Sequence, residues 1–126
     1  MTKQAIFSAK LAKAAGPFSP AINASGLVFI SGQIGQIPAT GALVEGGVER
    51  EAEQLFENMA AVLEAAGKDF SDVLRVGVFL TDLSDFALVN RVYATYFPEP
   101  FPARTTVAVT ALPLGASVEL DAIVRG

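Results

Sequence analysis

A chain of 126 residues with 52% hydrophobic content and a formal charge of −4 has the size of one ordinary domain, and we expect residues 1–126 to form a single one. The chain contains neither cysteine nor histidine, which excludes thiol nucleophiles, thiolate metal sites and a Ser-His-Asp arrangement. Proton transfer is left to carboxylates, water, lysine or tyrosine, and the scattered basic residues do not favour a nucleic-acid partner.

The apolar content is high for so short a chain, so part of the apolar surface is expected to face another subunit. No apolar run reaches the roughly 20 residues that a membrane-spanning helix needs. Lys10 and Lys13 lie where a signal peptide has its uninterrupted apolar segment. We therefore expect no membrane association and a cytoplasmic location.

The first half of the chain predicts a strand, a loop and a long helix. Residues 27–32 are apolar and β-branched and end at Gly32, which indicates a strand. Residues 38–47 have the glycine and proline content of a loop. Residues 48–66 are predicted to be helical because apolar side chains recur at i, i+3, i+4 and i+7, namely Ala52, Leu55, Phe56, Met59, Val62, Leu63 and Ala66.

The second half predicts a strand, a helix and two further strands. Residues 73–82 alternate as a strand does, and residues 85–97 have an apolar helical stripe that ends before two prolines. Residues 104–110 and 117–125 alternate again, with turn-forming residues 112–115 between them. We expect these last two strands to pair as a hairpin.

Alternation along the strands also predicts the two faces of the sheet. The two helices are expected to cover a purely aliphatic face made of Val76, Val78, Val107, Val109, Val118 and Leu120. The opposite face is mixed and carries Phe79, Ala108, Ile123, Arg104, Thr106, Glu119 and Asp121. Such a face is too apolar for water and too polar for a dry core, so we expect neighbouring subunits to bury it.

Arg104 and Glu119 are the pair most able to carry chemistry, and alternation predicts that they share the mixed face. A guanidinium can hold a substrate carboxylate through two parallel hydrogen bonds. A glutamate can accept a proton from water or donate one to a leaving amine. The alternative interpretation is structural, with Glu119 only neutralising Arg104.

Other positions have two interpretations each. Gly32 allows close approach and its N–H could bind a carboxylate oxygen, or it could simply end a strand. Asn90 is more often a solvated or capping residue than a site residue, and Phe18 and Phe86 are by default core aromatics. No phosphate-binding glycine loop is present.

Five segments of the chain occur in a recognisable order and spacing, namely GPFSPA (16–21), FISGQIG (29–35), NMAAVLEAAG (58–67), DLSDFALVNRVYATYFPEPFPAR (82–104) and LPLGASVELDAI (112–123). Together they resemble the RidA family, also called YjgF, the reactive-intermediate deaminases. The resemblance implies an α+β, chorismate-mutase-like fold: a mixed sheet with two helices on one face, assembled as a homotrimer with three clefts between subunits. It also implies hydrolysis of enamines and imines, such as 2-aminoacrylate and 2-iminopropanoate, to 2-oxo acids and ammonia without cofactor or metal.

The resemblance further implies a role for each site position. The implied roles are substrate-carboxylate binding for Arg104, water activation for Glu119, a backbone N–H contact for Gly32, polar cleft lining for Ser31 and Asn90, an aromatic wall for Phe86, and a backbone carbonyl contact for Thr106, where the family often has cysteine.

Phe18 departs from the family pattern, which usually has tyrosine at this position. Loss of one hydrogen bond to substrate or water costs roughly 0.5–1.5 kcal/mol, about a tenfold effect on rate. The alternative function is therefore a non-catalytic or regulatory module that binds small carboxylates. A third possibility, endoribonuclease or translation-inhibitor activity, is disfavoured by the acidic charge balance and the absence of histidine.

Overall fold

The computed structural model describes residues 2–126. Its strands are β1 (Gln4–Ile6), β2 (Ala21–Ala24), β3 (Leu27–Gln33), β4 (Val73–Leu80), β5 (Ala103–Ala108) and β6 (Val118–Arg125). Its α-helices are α1 (Val48–Ala65) and α2 (Phe86–Tyr96), and short 3₁₀ helices cover Phe70–Asp72, Leu83–Asp85 and Pro113–Gly115.

The strands form one mixed sheet in the order β1-β2-β3-β6-β4-β5. β4 and β5 are parallel, with α2 as the crossover between them, and the other neighbouring strands are antiparallel. The predicted helices and the four predicted strands are confirmed, with ends that differ by at most two residues. β1 and β2 are three and four residues long, too short for alternation to reveal them.

The expected hairpin between the last two strands is wrong. β6 pairs with β3 on one side and β4 on the other, so β4 separates it from β5. A helical crossover such as α2 returns the chain parallel to the strand that it left, and this places β5 beside β4 at the sheet edge. The short distance in sequence between β5 and β6 therefore does not lead to pairing.

The two α-helices pack on one face of the sheet around an aromatic cluster. Phe56 of α1 stacks on Tyr96 with 4.7 Å between ring centroids, and its edge contacts to Tyr93 and Phe97 are close to perpendicular. Burial of each large apolar side chain contributes about 1.5–3 kcal/mol, so this cluster is a main support of the core. The strand residues beneath it are fully buried and include Val76, Val78, Leu80, Val118 and Leu120.

The predicted faces are correct for β4 and β6 and wrong for β5. Arg104 pairs in register with the buried Val76, which places Arg104 on the face that the helices cover. Val107 pairs with Phe79 on the opposite face and is 40% exposed, so it is not a core residue. Alternation shows which residues of a strand share a face, but the neighbouring strand decides which set faces the core.

Arg104 and Glu119 consequently lie on opposite faces of the sheet, against the prediction that they share one. Glu119 pairs with Phe79 on the face away from the helices, whereas Arg104 contacts α2. Thr106, paired with Val78, lies on the same face as Arg104. The uncovered face exposes aromatic and aliphatic side chains, with Phe29 at 43%. Within residues 2–126, no helix is long and apolar enough to cross a membrane.

Two buried polar side chains of α1 connect the helix to the loops beside it. Glu51 accepts a hydrogen bond from the Ser117 N–H at 2.7 Å, just before β6 begins. Asn58 donates to the carbonyls of Ile34 and Gln36 at 3.1 and 2.8 Å. These bonds satisfy buried and half-buried backbone groups. The Glu51 bond fixes the segment before β6, and the Asn58 bonds fix the chain that follows β3.

Candidate active site

Arg104, near the start of β5, lies in a cluster formed with α2. Its Nη2 donates to Oδ1 of Asn90 at 2.6 Å. Its guanidinium carbon is 4.7 Å from the ring centroid of Tyr93 and 5.4 Å from that of Phe86. Stacking on aromatic faces is favourable for a guanidinium and leaves its edge free for hydrogen bonding.

The structural interpretation of the arginine is not supported. The ion pairs within residues 2–126 are Lys10–Glu64, Arg50–Glu53 and Arg125–Asp72. Within one copy, Glu119 lies on the opposite face of the sheet and does not neutralise Arg104. Asn90 and two rings therefore orient this guanidinium, and within residues 2–126 no carboxylate pairs with it.

Tyr93 is the residue of this cluster that the sequence reasoning missed as a site residue, because its apolar neighbours placed it in the core stripe of α2. Burial raises the pKa of its phenol, and the charge of Arg104 opposes that rise. Its hydroxyl is buried near the guanidinium, yet no group within residues 2–126 makes a hydrogen bond of good geometry with it. The spacing of Asn90 and Tyr93, three residues apart on a helix, is the signal that could have revealed their shared face.

A second group of residues lines a cavity of about 430 Å³ at the end of β3. Phe18, Ser31, Gly32 and Glu119 all contribute to its wall. The cavity is also bounded by the N-terminal segment around Lys13, by Asn58 of α1 and by Leu114. Its size suits a small organic molecule.

Glu119 enters this cavity directly above Gly32. A Cβ atom at Gly32 would overlap the Glu119 carboxyl group, so a glycine is needed there for close approach. Gly32 lies where the register between β3 and β6 shifts, between Ile30 and Gln33. Burial raises the pKa of Glu119, and repulsion from Asp121 raises it further. A carboxyl group with a raised pKa is suited to exchange protons near neutral pH.

Ser31 and Phe18 shape the cavity wall. The Ser31 hydroxyl donates to the Ser19 carbonyl at 2.6 Å, and the Ser31 N–H donates to the Pro20 carbonyl at 2.9 Å. These two bonds fix the segment that carries Phe18 against β3. Phe18 is 54% exposed and Phe86 is 42% exposed. The default expectation that both are core aromatics is therefore wrong.

The predicted site residues therefore form two groups in one copy of the chain. Arg104, Asn90, Phe86 and Thr106 lie along β5 and α2, whereas Phe18, Ser31, Gly32 and Glu119 surround the cavity at β3 and β6. Asn58 and Asp121 also belong to the second group's surroundings and were not predicted as site residues. For Asn58 the available signal was a polar side chain within an apolar helical stripe.

A mixed six-stranded sheet with two helices on one face defines an α+β protein of the chorismate-mutase-like type. The chain belongs to the family described as endoribonuclease L-PSP, the YjgF/RidA family, whose profile matches residues 8–125. The resemblance seen in the sequence motifs is thereby confirmed.

Relatives of known name support the same assignment. The chain is 47% identical to "Reactive Intermediate Deaminase A, chloroplastic" of Arabidopsis thaliana over 96% of its length, and the match spans 65% of the plant protein. It is 44% identical to the human "2-iminobutanoate/2-iminopropanoate deaminase" over 98% of this chain and 90% of that one. The crystal structure of RidA from Psychrobacter superposes with a TM-score of 0.93 at 46% identity, covering 98% of this chain and 99% of that one.

Proposed function

We propose that the protein hydrolyses reactive 2-imino acids, of the 2-aminoacrylate and 2-iminopropanoate type, to 2-oxo acids and ammonia. The observation that carries the proposal is Arg104, whose guanidinium is oriented by Asn90 and two aromatic rings without a carboxylate partner within residues 2–126. The names of relatives at 44–47% identity agree with this chemistry.

Arg104 binds the substrate carboxylate in this proposal. Asn90 holds one edge of the guanidinium, so the other edge can make two parallel hydrogen bonds to a carboxylate. Phe86, half-exposed beside it, forms an aromatic wall for the substrate's carbon chain. Thr106 lies two residues further along the same face of β5, and its backbone carbonyl contacts the substrate.

Glu119 handles the proton transfers. Its carboxylate takes a proton from water as the water oxygen bonds to the imine carbon. The acid so formed gives that proton to the nitrogen, which completes a carbinolamine. Glu119 then takes the carbinolamine hydroxyl proton and passes it to the nitrogen as the carbon–nitrogen bond breaks, so ammonia leaves as the 2-oxo acid forms. The N–H of Gly32 and the polar groups near Ser31 orient the water and the substrate carboxylate. An imine carbon is already electrophilic, so orientation and proton transfer suffice.

The two groups of residues are completed by a neighbouring copy. Arg104 and Glu119 lie on opposite faces of one sheet, so a single copy cannot bring both to one small substrate. The uncovered face, with Phe29 and Val107 exposed, is suited to burial between copies. We propose a cytoplasmic homotrimer of this one domain, with three clefts that each combine Arg104 of one copy with Glu119 of the next.

The test of this function is the hydrolysis of 2-iminopropanoate, generated by an amino-acid oxidase and followed by competition with semicarbazide. We expect Arg104→Ala to abolish the acceleration, because the substrate carboxylate then has no cation to orient it. Arg91→Ala is the matched control, since Arg91 is an exposed arginine of α2. An unchanged rate in a folded Arg104→Ala protein would contradict the proposal.

A non-catalytic module that binds small carboxylates is the second candidate, and Phe18 is the observation that favours it. The cavity wall has a phenyl ring where the family usually places a phenol, so one hydroxyl contact to substrate or water is missing. Binding of pyruvate without any turnover of imine would support this candidate. Nuclease activity is tested separately by salt-dependent RNA binding, which the charge of −4 does not favour.

A further inference from the structure

Two carboxylates on the uncovered face of β6 each lie over a glycine of a neighbouring strand. Glu119 lies over Gly32 of β3, and Asp121, two residues further along, lies over Gly77 of β4. A Cβ atom at either glycine would overlap the carboxyl group above it. The two side chains therefore lean to opposite sides of β6.

Asp121 is held in place by the backbone of β4. Gly77 is its register partner, and the Gly77 N–H donates to Oδ1 of Asp121 at 3.0 Å. A side chain at Gly77 would displace this carboxylate and break the bond. The negative charge of Asp121 is thus fixed at a defined position beside Glu119.

The surroundings of Glu119 contain few other charges. Asp121 is the titratable neighbour on its own strand, Arg75 of β4 lies on the same face of the sheet beyond Asp121, and Lys13 of the N-terminal segment lines the same cavity. In the proposed assembly, Arg104 of a neighbouring copy also faces it. The other residues that line the cavity near it or pair with it are uncharged, namely Phe79, Ser31, Gln33, Pro113 and Leu114. Repulsion from Asp121 adds to burial in raising the pKa of Glu119.

We propose that Asp121, which lies two residues along β6 from Glu119 and is fixed by Gly77, is a positioning residue that acts through Glu119 and sets the pH range in which Glu119 exchanges protons with water and substrate. The inference rests on the proposed deaminase function, in which Glu119 acts first as a base and then as an acid. Asp121 itself contacts no reacting atom. It acts through the charge that it presents to Glu119.

The experiment compares Asp121→Asn with the unmodified protein by two measurements. Because kcat/KM requires the Glu119 carboxylate, activity falls as the pH drops through the pKa of Glu119. Removing the neighbouring negative charge lowers that pKa, so the acidic limb of the profile moves to lower pH by about half to one pH unit. The plateau rate stays within about threefold, since the reacting groups are unchanged.

The second measurement is the titration of the Glu119 carboxyl carbon by NMR, which needs no activity. Its midpoint should fall in Asp121→Asn by the same amount, and Asp121→Glu, which keeps the charge, should return it towards the original value. Glu57→Gln is the control, because it removes one exposed negative charge of α1 that lies near Tyr96, on the opposite side of the sheet from Asp121. Asp121→Ser replaces Asp121→Asn if the latter does not fold.

The outcomes separate this inference from the proposed function. A midpoint and an acidic limb that both stay unchanged in a folded, active Asp121→Asn enzyme would overturn the role of Asp121 and leave the deaminase function standing. A midpoint that falls in a protein without any imine hydrolysis would overturn the proposed function, while it supports the control of Glu119 by Asp121.

Discussion

Arg104 and Glu119 differ in how the chain around them prepares them for chemistry. The guanidinium of Arg104 is oriented by a hydrogen bond to Asn90 and by contact with two rings, so little rotational freedom is lost when an anion binds. The carboxyl group of Glu119 is instead affected through burial and through Asp121, which both raise its pKa. One residue is prepared by geometry and the other by its electrostatic environment.

Phe18 gives a prediction at the scale of one residue. Phe18→Tyr adds a hydroxyl group to the wall of the cavity that contains Glu119, and one further hydrogen bond to substrate or water is worth roughly 0.5–1.5 kcal/mol. We expect kcat/KM for 2-iminopropanoate to rise by up to about tenfold.

The control for this change is Phe7→Tyr, because Phe7 is 69% exposed and lies outside the cavity. It should leave kcat/KM unchanged. A Phe18→Tyr enzyme that is no faster than the original would show that this position needs no hydroxyl group.

At the scale of elements, α1 supports the cavity through side chains that a purely apolar helix would lack. Among the described residues of α1, the buried polar side chains are Glu51 and Asn58. The Asn58 amide holds the Ile34 and Gln36 carbonyls and accepts a hydrogen bond from Gln54 at 3.0 Å. The segment that follows β3 and lines the cavity is therefore attached to the helix.

Asn58→Leu tests this attachment. The substitution leaves two carbonyl groups without their donors, and an unsatisfied buried polar group costs about 1–3 kcal/mol. We expect the free energy of unfolding in urea to fall by roughly that amount at a fixed protomer concentration.

Gln54→Ala is the matched control, since it removes only the hydrogen bond that Asn58 accepts and leaves both carbonyl contacts intact. Its effect should be about 1 kcal/mol or less. Equal destabilisation by the two variants would show that the carbonyl contacts of Asn58 do not support the loop.

At the scale of the whole molecule, the opposite orientation of Arg104 and Glu119 predicts complementation between copies. Arg104→Ala and Glu119→Gln should each be inactive alone, because every cleft then lacks one of the two groups. In a mixed trimer of either composition, one of the three clefts combines an intact Arg104 with an intact Glu119, so the mixed assembly should recover about a third of the full activity.

Coexpression with two different affinity tags, followed by purification of the mixed assembly, provides the material for that measurement. Mixing the two purified variants without subunit exchange is the control and should remain inactive. A mixed assembly with no activity would contradict a cleft shared between copies, and a monomer in sedimentation at micromolar concentration would contradict the assembly itself.

The sequence by itself determined the helices, the four longer strands and the residue types of the site. Periodicity is a local property, so the apolar stripe of α1 and the alternation of β4 are visible without any contact partner. The family motifs likewise identified Arg104, near the start of one strand, and Glu119, in another, as candidate site residues. These features follow from neighbours within a few residues along the chain.

Only the tertiary structure decided which face each strand presents and which strands are neighbours. The α2 crossover places β5 parallel to β4, and this register turns Arg104 towards the helices while Glu119 stays on the uncovered face. The approach of Asp121 to Gly77 depends on the same pairing of β4 with β6. Such relations join residues far apart in sequence, and alternation along one strand is equally compatible with either face until a partner strand fixes the register.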